Sequence, residues 1–350
     1  MRRTVLVLLV VLAASGCGGG HRAEEQPLPA RFVPDSLSVL DGRDFLVLGT
    51  LPCRSGRCYV IERTTDGGRG FTRVPAPQGL PTQGTVPTLH FADARDGFVL
   101  VPFAQGAFWA THDGGATWRK VGSPDVLAFA TAGGSVYAVV ARCTPRRCSG
   151  YRFARAPATA TRWPETALSF RPDSSIVDLA ARGPHVWLLG SPRGRFRPHD
   201  LLARSSDGGR TFVTVPGPCD PDLGGILEPS SARVIWAICP TGMLAGALRS
   251  TDGGATFSPL HTGVLPNSAR LAPASDRVAV LVANGGRTLD RTTDGGATWR
   301  RVSQLGDNAW WTDVVFADAR VGEALRIVPH DATVWRTTDG GAAWTRIPRR

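Results

Sequence analysis

Several residue types and sequence patterns are scarce or absent in this 350-residue chain, and each absence excludes some classes of function. Lysine occurs once, at Lys120, so the formal charge of +11 comes almost entirely from arginine. After residue 14 no apolar run approaches about 18 residues, which argues against a second membrane span. There is no Walker loop, no Rossmann fingerprint in a βαβ unit and no C-x-x-C pair. The sequence therefore predicts no nucleotide, metal or other cofactor.

Neither the histidines nor the aspartate-containing loops show the spacing of metal ligands. The histidines are dispersed along the chain, at positions 21, 90, 112, 185, 199, 261 and 330. The recurrent Asp-Gly-Gly segments lack the acidic spacing of a calcium loop. We therefore predict no metal site.

The composition is that of a folded, turn-rich protein. Hydrophobic residues make up 42% and charged residues 20%, which excludes a disordered chain. With 41 glycines and 27 prolines, turns are many and long helices are disfavoured. The arginine excess has two readings, GC-rich coding or attraction to an anionic partner.

The first sixteen residues have the pattern of an export signal. A basic start precedes an apolar run, Val5 to Ala14, that is too short to span a bilayer. Ala14-Ser15-Gly16-Cys17 resembles the lipobox of bacterial lipoproteins, in which the cysteine is lipidated after cleavage. We expect residues 1–16 to be removed, Cys17 to anchor the protein on the extracytoplasmic face of the cell membrane, and residues 17–35 to form a flexible tether. An ordinary secretory signal with a coincidental cysteine is the alternative.

The six remaining cysteines are consistent with export. An even number in an exported chain indicates disulfides, and proximity favours local pairs. The predicted pairs are Cys53–Cys58, Cys143–Cys148 and Cys219–Cys239. Zinc binding is the weaker alternative, because no histidine pair stands at ligand spacing.

An eight-residue motif recurs along the chain. Thr64 to Phe71 reads TTDGGRGF, and close copies end at Trp118, Phe212, Phe257, Trp299 and Trp344. Their aspartates are Asp66, Asp113, Asp207, Asp252, Asp294 and Asp339, spaced by 47, 94, 45, 42 and 45 residues. A decayed copy, Ala156 to Trp163, lies in the long gap. Seven units of about 45 residues with β character predict an all-β fold, a seven-bladed β-propeller of four-stranded antiparallel blades.

The residues of the motif are those that stabilise a tight turn. Glycine tolerates the positive φ that a tight turn requires, and an aspartate carboxylate accepts backbone N–H groups across it. We therefore predict that the six aspartates are structural, and we predict no catalytic residue. The propeller is predicted to occupy residues 36–350, with blades at 36–76, 85–123, 126–168, 174–217, 219–262, 268–304 and 309–348.

The repeat S/T-x-D-x-G-x-T-W/F in these six copies resembles the Asp-box, or bacterial neuraminidase repeat (BNR). Together with the hairpin Phe91 to Val101 and its twin at Phe316, it resembles Ycf48/Hcf136-like, sialidase-like and sortilin-type propellers over nearly the whole mature chain. Members of the Ycf48-like group act as assembly factors or scaffolds. The resemblance thus implies a non-enzymatic binding role, and it transfers no photosynthetic role.

The alternative function is a sialidase-like glycoside hydrolase acting on extracellular glycans. Sialidases need an arginine triad and a nucleophilic tyrosine late in the chain. Here Tyr59, Tyr137 and Tyr151 all precede the last four blades, and Arg31-Phe32-Val33-Pro34 is at most a weak echo of the family's Arg-Ile-Pro motif. Convergent carboxylates of raised pKa would favour an enzyme, whereas an arginine-lined channel mouth would favour binding.

A binding rim is predicted on the face formed by the B–C and D–A loops, because variable loops on a rigid scaffold usually carry function. The candidate residues are Arg54, Arg57, Arg146, Arg147, Arg193, Arg195 and Arg197, with Trp310 and Trp311 at the entry to blade 7. Arginines on rigid loops suit bidentate contacts to carboxylate or phosphate. The predicted partner is an envelope protein or an anionic polysaccharide. We expect membrane contact through the lipid, no nucleic-acid binding and a monomer. Ordinary solvated loops in an arginine-rich chain are the alternative.

Overall fold

The computed structural model describes residues 26–54, 56–82, 84–101, 107–121, 124–144, 147–168, 172–192, 199–221, 223–306, 308–329 and 331–350. The predicted signal segment, Cys17 and the first part of the predicted tether lie outside the described residues. Lipidation and location therefore stay predictions.

Seven antiparallel sheets follow one another along the chain, and this confirms the predicted all-β, seven-bladed propeller. Within each blade the strands A to D pair in chain order. Strands of blades 1 to 3 are β1 Val33–Val39, β2 Phe45–Cys53, β3 Gly56–Thr64, β4 Thr72–Val74; β5 Thr88–Phe91, β6 Gly97–Val101, β7 Ala107–Thr111, β8 Arg119–Val121; β9 Asp125–Ala132, β10 Ser135–Thr144, β11 Arg147–Pro157, β12 Glu165–Ala167.

The remaining blades repeat the same plan. Strands of blades 4 and 5 are β13 Pro172–Arg182, β14 His185–Pro192, β15 Leu201–Ser205, β16 Val213–Pro216; β17 Ile226–Pro229, β18 Ile235–Thr241, β19 Leu244–Ser250, β20 Ser258–Pro259 and the extra β21 Leu265–Pro266, which pairs with β19. Strands of blades 6 and 7 are β22 Arg270–Pro273, β23 Ala279–Ala283, β24 Thr288–Thr292, β25 Arg300–Gln304; β26 Trp310–Phe316, β27 Gly322–Val328, β28 Asp331–Thr337, β29 Thr345–Arg346.

Helix is nearly absent from the described part of the chain, where one 3-10 turn spans Asn284–Gly286. Within that part, no helix is both long enough and apolar enough to cross a membrane.

The core is divided among the blade junctions. Each of the seven buried apolar clusters joins two neighbouring blades, including blade 7 to blade 1. Central strands are therefore covered on both faces, and β6 and β23 are buried at every position. The innermost strands contact one another around the ring and close it between β26 and β1. This packing explains why the B strands read as continuous apolar runs rather than alternating ones.

The ring is closed by residues that precede β1. Gln26 exchanges two backbone hydrogen bonds with Phe71 of blade 1, and the Arg350 N–H donates to the Leu28 carbonyl. Leu28 and Phe32 are fully buried between blades 7 and 1. The folded part thus begins before the predicted boundary at residue 35, because these apolar side chains complete a core cluster.

The six repeated turns share one hydrogen-bond pattern. In each, the Thr or Ser hydroxyl donates to the aspartate Oδ1 at 2.7–2.8 Å and accepts from the N–H of the second glycine. The first glycine donates its N–H to a carbonyl of the A–B turn at 2.7–2.9 Å. The repeated turns and the A–B turns therefore lie on one face, and the B–C loops lie on the other.

An arginine stands near the end of strand C in six blades and ties each of them to the next. Its guanidinium donates to a turn carbonyl of the following blade, at 2.7–3.2 Å in five cases and from Arg336 to Gly42 in the sixth. The donors are Arg63, Arg155, Arg204, Arg249, Arg291 and Arg336. We call these contacts the arginine ties.

Candidate functional site

The described part of the predicted rim lies mainly in blade 1. Arg54 lies in the hairpin loop between β2 and β3, Arg57 lies at the start of β3, and both are exposed. Arg146, Arg193, Arg195 and Arg197 lie outside the described residues, and so does the side chain of Arg147. The predicted rim therefore stays a prediction for the loops of blades 3 and 4.

The tryptophan part of the rim needs correction. Trp311 is only 3% exposed and packs edge-on against Trp335, with ring centroids 5.5 Å apart. Strand alternation in β26 points it into the core between blades 6 and 7. Trp310 is half-buried beside Gly286. Trp311 is thus a core residue and not an aromatic binding surface.

The structure contains three disulfides, which join Cys53 to Cys58, Cys143 to Cys148 and Cys219 to Cys239. The first two close B–C loops of blades 1 and 3. The third is buried in the core between blades 4 and 5. The two loop disulfides and the buried disulfide all stiffen the face opposite the repeated turns.

A cavity of about 730 Å³ opens at the seam between blades 7 and 1. We call it the arginine pocket, because its lining residues include five arginines and a single acidic side chain, Asp331. The charged lining residues are Arg31, Arg57, Arg346, Arg349, Arg350 and Asp331. The B–C loops of both blades and the segment that closes the ring meet here, so the pocket exists only in the closed ring.

Arg57 is held in place within this pocket. Its Nε donates to the Thr50 Oγ1 and its Nη2 donates to the Thr50 carbonyl, both at 2.7 Å. A weaker bond of 3.3 Å reaches the Arg31 carbonyl. Since the loop is also stapled by the Cys53–Cys58 disulfide, the guanidinium is pre-positioned at low entropic cost.

Arg349 is the most informative residue of the pocket. Its side chain is 7% exposed, and its Nη1 pairs with Asp331. The Nε and Nη2 are buried and have no hydrogen-bond partner among the described residues. Buried cationic donors without a partner are costly, so an acceptor placed beside these two nitrogens would be stabilised. A carboxylate, phosphate or sulfate oxygen fits this requirement.

Carboxylates do come together near the propeller axis. Asp178, Glu228 and Asp313 lie on the innermost strands of blades 4, 5 and 7. Burial raises the pKa of Glu228 to about 8, and the charges of Asp178 and Asp313 add to the effect while Arg270 opposes it. Burial likewise raises the pKa of Asp178 to about 6 and raises that of Asp313.

Two of these axial carboxylates already have structural partners. The Leu227 N–H of the next blade donates to Asp178 Oδ2 at 2.8 Å. The Leu37 N–H donates to Asp313 in the same way, across the closing seam. In blade 1, Ser36 Oγ accepts from Leu89 N–H at 3.0 Å. These side chains therefore link successive innermost strands, and only Glu228 has no such bond among the described residues.

The tyrosines do not provide an activated nucleophile. Burial and the nearby Asp35 charge together raise the pKa of Tyr59 to about 12, which disfavours the phenolate. Tyr137 is buried and stacks on Phe153, and Tyr151 is half-buried beside the same cluster. The environment of Tyr59 thus works against a sialidase-type nucleophile.

The repeated-turn aspartates are committed to their turns. Hydrogen bonds from Thr117 lower the pKa of Asp113 to about 2, and bonds from Thr211 and Thr298 lower the pKa of Asp207 and Asp294. Among the described residues, no three His, Cys, Asp or Glu side chains are placed so that they could hold a metal ion together. The lowered pKa values are those expected of carboxylates that only accept hydrogen bonds.

Sequence reasoning missed both the arginine pocket and the axial carboxylates. Arg346, Arg349 and Arg350 stand far from Arg57 in the chain and meet it only through ring closure. No local pattern signals that meeting. Asp178 and Asp313 could have been found, because each is an acidic residue beside apolar residues of strand A, Val177 and Leu179 for the first and Val314 and Val315 for the second.

The comparisons with known proteins concern the fold. No protein-family model matches the chain, and no curated protein matches it either. Among solved structures, YCF48 from Cyanidioschyzon merolae is similar at 15% identity, with 90% of this chain and 98% of that chain covered and a TM-score of 0.56.

A second similar structure is a puromycin-hydrolysing peptidase of Mycobacterium tuberculosis. It has 13% identity, 93% of this chain and 57% of that chain are covered, and the TM-score is 0.59. At these identities the likeness shows the fold alone. The chain is thus a seven-bladed β-propeller whose structural neighbours include YCF48.

Proposed function

We propose that this protein is a non-enzymatic binding scaffold anchored outside the cytoplasmic membrane through a lipid on Cys17. Its arginine pocket holds an anionic group of an envelope protein or of an anionic polysaccharide. The propeller supplies the rigid frame, and the pocket supplies the recognition.

The proposal rests on the environment of Arg349. Arg349 is almost fully buried in a pocket with four other arginines, and two of its nitrogens lack an acceptor among the described residues. The single carboxylate that it meets, Asp331, leaves most of the positive charge uncompensated. An incoming carboxylate or phosphate would satisfy both the hydrogen bonds and the charge.

The test uses the whole chain with Cys17→Ser, which removes the lipid. Binding of fluorescein-labelled poly-L-glutamate and of dextran sulfate is followed by anisotropy at two salt concentrations. Arg349→Leu is expected to weaken binding about tenfold or more, because it removes the buried donors. Arg31→Ser, at an exposed wall, is expected to weaken it less.

Arg233→Ser is the matched control, since this exposed arginine lies on the opposite face, in an A–B turn. It should leave binding unchanged. Equal binding by the Arg349 and Arg233 variants, with melting temperatures near that of the parent, would contradict the proposal. Loss of salt dependence in the Arg349 variant would support it.

The anchoring part has its own test. Cells expressing the full chain are labelled with a clickable palmitate analogue. Label is expected on the parent and not on Cys17→Ser, and the parent is expected in the membrane fraction. Label that persists in the Cys17→Ser variant would contradict the anchor while leaving the binding proposal open to its own test.

Glu228 supports a second candidate function, glycoside hydrolysis. A carboxyl of pKa about 8 is protonated at neutral pH and can act as a general acid. Against this, the two neighbouring carboxylates, Asp178 and Asp313, each already accept a backbone hydrogen bond from the next blade, which fits a structural role better than that of the second catalytic group. Turnover of fluorogenic glycosides or sialosides that disappears in Glu228→Gln would establish the enzyme. The absence of turnover by the folded, disulfide-intact chain would support the binding scaffold over the glycoside hydrolase.

A further inference from the structure

The junction between blades 2 and 3 is built differently from the others. In strand C of blade 2, Ala110 precedes the terminal Thr111 and stands at the position that an arginine occupies in the other six blades. The arginine tie is therefore missing here.

The blade 3 side of this junction also differs from the corresponding side of the other junctions. Elsewhere the second glycine of the repeated turn packs tightly on the preceding blade. An added Cβ would lie 2.5 Å from Val74 at Gly115 and 2.7 Å from Leu260 at Gly296. Blade 3 has Ala160 at this position and lacks the Asp-Gly-Gly turn. Both the arginine tie and the tight glycine contact are thus missing at this junction.

A cavity of about 630 Å³ occupies the junction. Its inner wall is apolar and includes Ala110, Val126, Val140, Ala154 and Trp163. The Trp163 ring is held by Phe108 and Phe129, with centroids 5.2 and 5.8 Å away. A volume of this size accepts a bulky side chain, and its wall is pre-formed.

The mouth of the cavity is charged. Arg119 and Arg162 are exposed there and have no ion-pair partner among the described residues. Asp113, also at the mouth, is engaged by Thr111 and Thr117. Asp113 and Glu165 are both exposed there and together offset the charge of Arg119 and Arg162. The positive excess of the site comes from Arg142 and Arg152, which line a smaller adjoining cavity, and it favours an anionic ligand.

Two open sheet edges flank the mouth. β8 is the outermost strand of blade 2 and supplies Arg119, and β12 is the outermost strand of blade 3 and supplies Glu165. A smaller cavity of about 220 Å³ shares Pro124, Val140 and Glu165 with the large one and adds Arg142 and Arg152. Neighbouring cavities along an open strand edge fit an extended peptide, whose side chains alternate in direction.

We propose that the blade 2–3 junction binds an extended acidic peptide segment of a partner protein, with a bulky apolar side chain in the cavity and a carboxylate against Arg119 or Arg162. The sheet edges and the adjoining arginine-lined cavity favour a peptide over a small amphiphile. This site is separate from the arginine pocket, which lies at another junction.

The probe is a capped, fluorescein-labelled peptide in which one phenylalanine is flanked by aspartates in a threonine-rich context. Anisotropy is measured with the full chain carrying Cys17→Ser. Two comparison peptides replace the phenylalanine by glycine, or the aspartates by asparagine. Each replacement is expected to weaken binding about fivefold or more.

Variants locate the site. Ala110→Arg places a guanidinium in the cavity and is expected to abolish binding, and Arg119→Ser is expected to weaken it about threefold or more. Arg300→Ser is the matched control, because Arg300 follows Trp299 as Arg119 follows Trp118. If Ala110→Arg does not fold, Ala160→Phe fills the same cavity from a half-buried position.

Binding that survives cavity filling, or no binding of the parent peptide, would overturn the inference. Binding of 8-anilinonaphthalene-1-sulfonate but not of the peptide would assign the cavity to a small amphiphile instead. Arg349→Leu should leave peptide binding intact, and Ala110→Arg should leave poly-L-glutamate binding intact. The two proposals can thus fail independently.

Discussion

The seam between blades 7 and 1 and the junction between blades 2 and 3 both contain a cavity, but for opposite reasons. The seam keeps its arginine tie, Arg336 to Gly42, and adds a closing segment with Leu28 and Phe32 in the core. Its cavity lies outside that core and is lined by charge. The blade 2–3 junction has lost its tie, and its cavity is continuous with the apolar core.

The difference shows two ways to create a site on a repeated scaffold. At the seam, extra residues are added to an intact junction, so recognition and stability can be separated. At the blade 2–3 junction, parts of the repeat have been removed, so the cavity is made from core residues. Substitutions should therefore be costly inside the seam and mild around the degenerate turn.

The largest expected effect is the loss of the core side chain that closes the seam. Phe32 is fully buried, so Phe32→Ala should lower the free energy of unfolding by about 3–5 kcal/mol. Chemical denaturation with a fluorescence readout measures it. Val213→Ala, at a 64% exposed position, serves as the control and should change stability little. A loss below about 1 kcal/mol for Phe32→Ala would mean that the seam is not a cooperative part of the core.

The next effect concerns the buried pair that Arg336 forms with Glu323. Burial raises the pKa of Glu323 to about 7, while the Arg336 charge opposes the rise. Removing the arginine leaves a buried carboxylate without its partner, so Arg336→Leu should cost about 3 kcal/mol at pH 8.

The sign of the pH dependence follows from the raised pKa. In the unfolded chain Glu323 loses its proton near its ordinary pKa of about 4.3. In the folded Arg336→Leu variant it keeps the proton to a pH above about 7. Stability of the variant should thus fall, relative to the parent, as the pH rises through about 7, and the gap should be smallest near pH 5. Arg336→Leu combined with Glu323→Gln should abolish this pH dependence, and a gap that is constant from pH 5 to 8 would contradict the account.

The smallest effect separates an intact turn from the degenerate one. Thr292 is buried, donates to Asp294 and accepts from the Gly296 N–H. Thr292→Ala should cost about 1–3 kcal/mol, because it leaves a buried donor unpaired. Blade 3 has the buried Ala156 at the equivalent position, so the comparison uses the exposed hydroxyl of the same degenerate turn, and Thr161→Ala should change stability by about 0.5 kcal/mol or less. Similar costs at both sites would remove the distinction between regular and degenerate blades.

The fold was predictable because its signal is local and repeated. The spacing of Asp66 to Asp339 sets the blade count, and the turn chemistry of Asp-Gly-Gly sets the hairpins. The disulfide pairs followed from proximity in the chain for the same reason. Trp311 was misplaced because the facing of a strand residue depends on register, which a one-residue shift reverses.

The sites were less predictable because they depend on contacts between distant parts of the chain. Arg349 meets Arg57 only after the ring closes, and the axial carboxylates belong to three different blades. The blade 2–3 cavity is an intermediate case. The loss of Asp-Gly-Gly at Ala156 to Trp163 was visible in the sequence, but the open space it leaves was not.

The closing segment also bears on the order of folding. Within every blade the strands pair with neighbours in sequence, so each blade can form soon after its residues are available. The seam is the exception, since Arg350 binds the Pro27 carbonyl across nearly the whole chain. The arginine pocket is assembled from both ends of that contact, so it comes into being only when the last blade has docked. A partner that recognises this pocket would therefore bind finished molecules and ignore incomplete ones.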